Sequence, residues 1–408
     1  MDSLLERFCR YARIESTADE TTDRYPSSDG QLQMGRLLTG ELKELGLSDV
    51  RMDEYGIVTA TIPATVPDAP TIAWFAHVDT SPEFTARNVT PIVHEAYDGS
   101  DIVLPGSTDR VIRVADNPEL AALKGTTIIT SDGTTLLGAD DKAGVAVIME
   151  TAARMMADPN TERGCLRVCF TCDEEIGRGA DHIDLDHIGA VTGYTLDGEG
   201  AGVIENETFS ADLATITIEG VNTHPGYAKN RMTSAIRAAA RFVDQLPFDG
   251  LSPETTSGRE GFIHPYTLDG QVARTTMRII LRDFDGAKLI DQHRILDEIA
   301  ARIMRERPGL RINIDVVPQY RNMADGLSRE PRAVKLAADA MKAAGVQPRF
   351  SCIRGGTDGS RLTEMGLATP NLATGMHNFH SPLEWAGLAE MHQAVRVLIE
   401  LADQWSRQ

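Results

Sequence analysis

Eight side chains of two chemical kinds stand where apolar runs give out: His77, Asp79, Asp140, Asp141, Glu174, Glu175, Asp197 and His380. Imidazole and carboxylate without thiolate suit zinc, manganese or cobalt in a hydrolytic site. One catalytic zinc needs three protein ligands and a water, so a set this large fits two ions sharing a bridging carboxylate. Taken singly, each residue reads as a cap or a solvated loop residue. Asp140 and Asp141, just ahead of a small-residue helix, would cap its free N–H groups. Their common position at the ends of apolar runs is what argues for a site. Cys165, Cys169 and Cys172 also lie close together, but on an apolar strand-like run with no fourth thiolate, and read as small buried hydrophobes.

Periodicity names the elements that must carry these groups. Ser3 to Tyr11 reads as a helix, and Asp29 as the cap of a second one whose apolar positions are Leu32, Leu38, Leu42 and Leu45. Thr71 to Ala76 is a nearly unbroken apolar run, as in a strand buried on both faces, and it ends in His77-Val78-Asp79. Leu137 to Gly144 leads into a helix over Ala143 to Met156. Leu166 to Thr171 ends in Asp173-Glu174-Glu175, and Val191 to Leu196 ends in Asp197-Gly198. In open α/β sheets the site lies outside the carboxyl ends of the strands.

Near residue 207 the texture changes. Ala214, Ile216 and Ile218 alternate with Thr215, Thr217 and Glu219, the period of a sheet with one covered face. A helix is predicted over about Arg231 to Gln245, then strands around Gly261 to Leu268 and Gln271 to Leu281. A longer helix over Ala287 to Arg305 and a strand through Leu310, Ile312, Ile314 and Val316 complete the module. From about Asn322 the first texture resumes, with a Gly-rich turn Arg354 to Gly359, a short strand near Pro370 to Ala373, His377 to His380 and a long helix. The expected fold class is α/β. A doubly wound mixed-sheet catalytic domain (1–206 and 322–408) holds a dinuclear metal site, and a ferredoxin-like β-α-β-β-α-β lid domain (207–321) is inserted in it.

Bulk properties narrow the partners. The 408 residues carry a net charge of −20, a field that repels nucleic acid and anionic membrane surfaces. No basic segment precedes an apolar core near the N-terminus, and no apolar run reaches membrane-spanning length. Five cysteines argue against a disulfide scaffold and for a reducing cytoplasm.

The motifs resemble those of the co-catalytic zinc peptidase family M20, most closely its tripeptide aminopeptidase branch. Agreement runs end to end, through Tyr25 to Gln31, Ala76 to Thr80, Leu137 to Gly144, Asp173 to Gly177, Asn222 to Gly226, Arg282 to Asp285 and Ile353 to Gly359. The resemblance implies two Zn2+ per subunit, with Mn2+ or Co2+ as substitutes: His77 and Asp197 on one ion, Glu175 and His380 on the other, and Asp140 bridging. It implies that Asp79 orients His77, that Glu174 is the general base, and that His224 stabilises the oxyanion from the lid. Arg282 and Arg354 are expected to bind the terminal carboxylate of small peptide substrates. In dimeric relatives the histidine can come from the neighbouring subunit, so a homodimer through the lid domain is an expected partner. The Asp140–Asp141 peptide bond is expected to be cis. After His380 the chain reads Ser381-Pro382-Leu383-Glu384-Trp385, where that branch tends to have Gly-Lys-His-Glu-Phe; the departure bears on specificity. The alternatives are an M20-type dipeptidase or N-acyl-amino-acid amidohydrolase, and a non-catalytic peptide- or metal-binding protein on the same scaffold.

Overall fold

The computed structural model describes residues 2–408. In chain order the elements are α1 (Ser3–Ala12), α2 (Asp29–Glu44), β1 (Ser48–Met52), β2 (Val58–Ile62), β3 (Ile72–His77), β4 (Ile92–His94), β5 (Ile102–Val103), β6 (Val111–Ile112), β7 (Ile128–Thr130), α3 (Ala139–Ala157), β8 (Leu166–Thr171), α4 (Leu185–Ile188), β9 (Thr192–Glu199) and β10 (Val203–Thr208). There follow β11 (Ser210–Glu219), α5 (Ala235–Asp244), β12 (Phe262–Gly270), β13 (Arg274–Asp283), α6 (Gly286–Glu306) and β14 (Arg311–Tyr320). The chain continues through α7 (Met323–Leu327), α8 (Arg332–Ala343), β15 (Arg349–Ile353), α9 (Asp358–Glu364), β16 (Asn371–His377), β17 (Trp385–Gly387) and α10 (Leu388–Ser406). Two compact units result. One comprises the chain through Asn206, Met323–Ser351 and Thr357–Gln408; the other comprises Glu207–Asn322 and Cys352–Gly356.

The first unit is built on a mixed sheet ordered β1-β2-β8-β3-β9-β16-β17-β7-β4. Its centre is parallel, β8 to β3, β3 to β9 and β9 to β16, and its flanks are antiparallel. The unbroken apolar run of β3 serves two faces at once. Ile72, Trp74 and Ala76 join the large cluster formed with α1, α3, α8 and α10, while Ala73 and Phe75 join a second cluster with Ile183 and Leu362. A strand with both faces covered gains nothing from alternating with polar residues, so its polar chemistry collects at its end.

Residues Ala139 to Ala152 of α3 are buried throughout, which explains the small side chains there. Regular helical geometry starts only after Asp141, because Asp140 (φ −80, ψ 110) and Asp141 (φ −112, ψ 32) depart from it. The bond between them is cis. Among the described residues no helix is long and apolar enough to cross a membrane.

The second unit is a four-stranded antiparallel sheet ordered β12-β13-β11-β14. Helices α5 and α6 cover one face, burying Ala214, Ile216 and Ile218 of β11 with Met277, Ile279 and Leu281 of β13. Two boundaries differ from those expected. α5 begins at Ala235 rather than near Arg231, because Val221 and Thr233 pair as a β-bridge and Ser234 caps the helix through Arg237 N. Asp29 is not a cap; Ser28 holds that position, and Asp29 pairs with Arg24.

Candidate metal centre

Every member of the cluster reaches it from the end of a buried strand or the start of the buried helix. β3 delivers His77 and, two residues later, Asp79. The turn into α3 delivers Asp140 and Asp141, the turn after β8 Glu174 and Glu175, β9 Asp197, and the loop after β16 His380. His77 Nε2 lies 2.9 Å from Asp140 Oδ1 and 3.7 Å from Asp197 Oδ1. His380 Nε2 lies 2.9 Å from Glu175 Oε2 and 3.4 Å from Asp140 Oδ2. Asp140 therefore turns one oxygen to each histidine.

Side-chain donors of His77, Asp140 and Glu175 lie within 4.8 Å of one another, and so do those of His77, Asp141 and Asp197. Glu175 Oε1 is buried with no hydrogen-bond partner. Two imidazoles cannot balance the acids crowded here, so the donor set fits divalent cations, which would supply both the missing charge and a partner for the orphaned oxygen.

The electrostatics show the same imbalance. Burial pushes the carboxyls of Asp197 and Asp141 well up, each reinforced by the charge of neighbouring acids. Burial and Asp140 push Glu175 up to about 7. Glu174 is raised well above the usual range by burial, with Asp358, Asp197 and Glu175 adding to it and His77 opposing. For Asp140 burial also acts upward, but His380 and His77 outweigh it and hold the carboxyl well below its usual range. The histidines are the counterpart: burial lowers both, yet Asp140 and its fellow acids carry His77 well up and His380 up to about 11.

Around the cluster, main-chain N–H groups hold the acids in place. Asp79, fully buried, accepts from Glu174 N at 3.2 Å and Glu175 N at 3.1 Å. Its side chain thus sets the turn carrying both glutamates; His77 Nδ1 is nearer to the Asp79 main-chain oxygen (3.1 Å) than to its carboxylate (3.4 Å). Asp141 accepts from His77 N (3.2 Å) and Gly144 N (3.1 Å), the second of these a capping bond. The Tyr25 to Gln31 segment acts through Asp173, whose carboxylate accepts from Ser27 N (2.8 Å) and Gln31 Nε2 (2.6 Å). That holds a left-handed residue (φ +62) immediately before Glu174.

The remaining expected residues lie in the second unit. His224 is exposed and accepts from Gly226 N at 3.1 Å, opening a short 3₁₀ turn. Arg354 lies over the rings of Phe209 and Phe262 and donates to the carbonyls of Gly258 and Glu260, each at 2.8 Å. Arg282 donates to Arg354 O at 3.1 Å, and its Nε is buried without a partner. Two acids of the first unit escaped the sequence reading. Asp358, at the start of α9, accepts from Thr171 Oγ1 at 2.8 Å and shares a small cavity with His77, Asp141, Glu174 and Asp197. Glu384 reaches the turn before α3; its signal was that it alone of Ser381 to Trp385 keeps the residue type found there in the branch that the chain resembles.

The model of peptidase family M20/M25/M40 matches residues 130–404. A protein of Bacillus mycoides (strain KBAB4) named Peptidase T is 43% identical over 406 residues, 99% of each chain. Among solved structures, a tripeptidase from Staphylococcus aureus has a TM-score of 0.78 at 22% identity, covering 100% of this chain and 98% of its own. A dinuclear metal binding peptidase of family M20 from Bacillus subtilis has a TM-score of 0.67 at 15% identity, covering 98% of this chain and 96% of its own.

Proposed function

The chain belongs to peptidase family M20/M25/M40, and on that premise we propose that it is a metal-dependent aminopeptidase removing the N-terminal residue of tripeptides. The names Peptidase T and tripeptidase borne by similar proteins support that substrate class. The cofactor is a divalent metal, which we assign as two zinc ions per subunit. His77 and Asp197 would hold one and Glu175 and His380 the other, with Asp140 available to both. Bound there, the pair would lend Lewis acidity to a water and to the scissile carbonyl.

One observation carries the catalytic half of the reading. Glu174 lines the cavity beside His77, Asp141 and Asp197 without an ion pair to either histidine, as a base rather than a ligand would. It takes the proton of the attacking water and hands it to the leaving amine. Asp79 keeps Glu174 and Glu175 in register through their main-chain N–H groups. His224, on an inserted domain (207–321) that we read as a lid, stabilises the developing oxyanion. Arg282 and Arg354 serve the terminal carboxylate. A homodimer through the lid domain and a cytoplasmic location belong to the same proposal.

Metal analysis combined with a peptide panel tests it. Tripeptides should be cleaved far better than dipeptides, and an N-acylated tripeptide should not be turned over. Equal cleavage of the blocked substrate would replace the aminopeptidase with an amidohydrolase.

A further inference from the structure

Glu384 is 1% exposed, and its carboxylate is filled entirely from one direction. Oε2 accepts from Leu137 N at 2.7 Å and Gly138 N at 2.8 Å, and Oε1 accepts from Asp140 N at 3.0 Å. All three donors belong to the turn that presents Asp140. The carboxylate itself belongs to the loop that presents His380, where Glu384 N closes back onto Ser381 O at 3.0 Å.

Both loops need a brace. Asn378 and His380 sit at φ +53 and +59, a region uncommon for residues with a side chain, and the Asp140 turn passes through Gly138 at φ +75, where glycine offers no side chain to hold it. Neither loop has a strand partner at these residues, so the N–H groups of Leu137, Gly138 and Asp140 would be buried donors without acceptors were Glu384 absent. The nearest buried cation does not compete: Lys142 Nζ donates to Ile14 O at 2.6 Å.

We propose that Glu384 is a positioning residue for the metal centre, fixing the separation between the loop that offers Asp140 and the loop that offers His380. The inference rests on the ligand assignment above. A single carboxylate then sets the distance between two ligands that lie far apart in the chain. Glutamine cannot replace it, because it has one acceptor oxygen, and its NH2 group would face an N–H donor. Aspartate keeps the charge but, one methylene shorter, cannot reach the turn without drawing the loops together.

The test uses the full chain, stripped of metal and titrated with Zn2+ against a chelating indicator, for the parent, Glu384→Gln, Glu384→Asp and Glu390→Gln. Glu390 is the control: it is another buried carboxylate, paired with His377 Nε2 at 2.7 Å at the base of the His380 loop, and it makes none of the hydrogen bonds to Leu137, Gly138 or Asp140 that Glu384 makes. Partners that orient ligands typically contribute about 10- to 100-fold in metal affinity. Glu384→Gln should show that loss, Glu384→Asp a smaller one, and Glu390→Gln less than about threefold. At saturating Zn2+ the KM for a tripeptide should not move in either Glu384 variant, because Glu384 touches no substrate. Zn2+ binding by the Glu384 variants within threefold of the parent overturns the inference alone, as does equal weakening by Glu390→Gln. A parent that takes up no second ion overturns the ligand assignment and this inference with it.

Discussion

Gly144 is the point at which the first turn of α3 presses on the strand that bears Asp197. A Cβ added there would lie 1.8 Å from Leu196 O and 2.3 Å from Asp141 Oδ1. Ordinary contact for such a pair is near 3.4 Å, so Gly144→Ala demands a displacement of about 1.5 Å. Neither neighbour can yield cheaply. Leu196 O is main chain within the sheet, and Asp141 is held by His77 N and Gly144 N. The helix must therefore back away from β9, carrying Asp140 away from Asp197. Overpacking of this kind costs about 1–3 kcal/mol of stability, and a misplacement of about 1 Å at reacting groups costs about 10²-fold in rate. We expect kcat/KM for a tripeptide to fall at least about 10²-fold, with a Tm lowered by several degrees. The control is Gly40→Ala, in α2, where an added Cβ meets nothing within 4 Å; it should gain up to about 1 kcal/mol in helix propensity and keep full activity. A Gly144→Ala enzyme with kcat/KM within threefold of the parent and an unchanged Tm would refute the claim that close approach of α3 to β9 sets the site.

Glu174→Gln should retain both metal ions by elemental analysis yet lose at least about 10²-fold in kcat; surviving activity would mean that the base lies elsewhere. Stripping the metal should make stability fall as pH rises. Burial raises Asp358 from 3.8 to about 6, so the stabilisation it contributes is complete below its unfolded value and is lost as pH climbs through its folded one. His380, raised from 6.5 to about 11, acts in the same direction at higher pH, and Asp140, held low, acts only in acid. Asp358 alone would account for about 3 kcal/mol between pH 3.8 and 6. The metal-free chain should melt lower at pH 7.5 than at pH 5, and a Tm that rose across that interval would contradict the assigned electrostatics.

The clustered acids and histidines of the candidate centre were legible because each follows an apolar run, and a strand covered on both faces can place polar chemistry only at its end. Asp79 was legible as a residue of the site but not in its main contact. The resemblance implied His77 as its partner, 3.4 Å from the carboxylate, whereas the closer contacts are N–H groups 95 and 96 residues away. Glu384 stood out only as the residue that the resembled branch shares in that stretch; its role was hidden for a similar reason, its donors being main-chain amides 244 to 247 residues distant, which leave no trace in side-chain pattern. The early start expected for α5 failed because apolar periodicity does not register a competing β-bridge at Val221 and Thr233. Arg354 looked free in the sequence because its acceptors, the carbonyls of Gly258 and Glu260, belong to every residue type alike.

The sheet order also imposes a schedule on the chain as it is made. β9 carries Asp197 and needs β16 as its parallel neighbour, yet Asn371 of β16, which accepts from Asp197 N, lies 174 positions later in the chain. At roughly 5–20 residues per second, a ribosome separates the two by about 10 to 35 s. Strands β11 to β14 emerge in that interval and pair among themselves, so their sheet can close while β9 still waits with one edge bare. Glu384 and His380 emerge later still. Newborn chains therefore hold at most part of the donor set until β16 and the loop after it have been made.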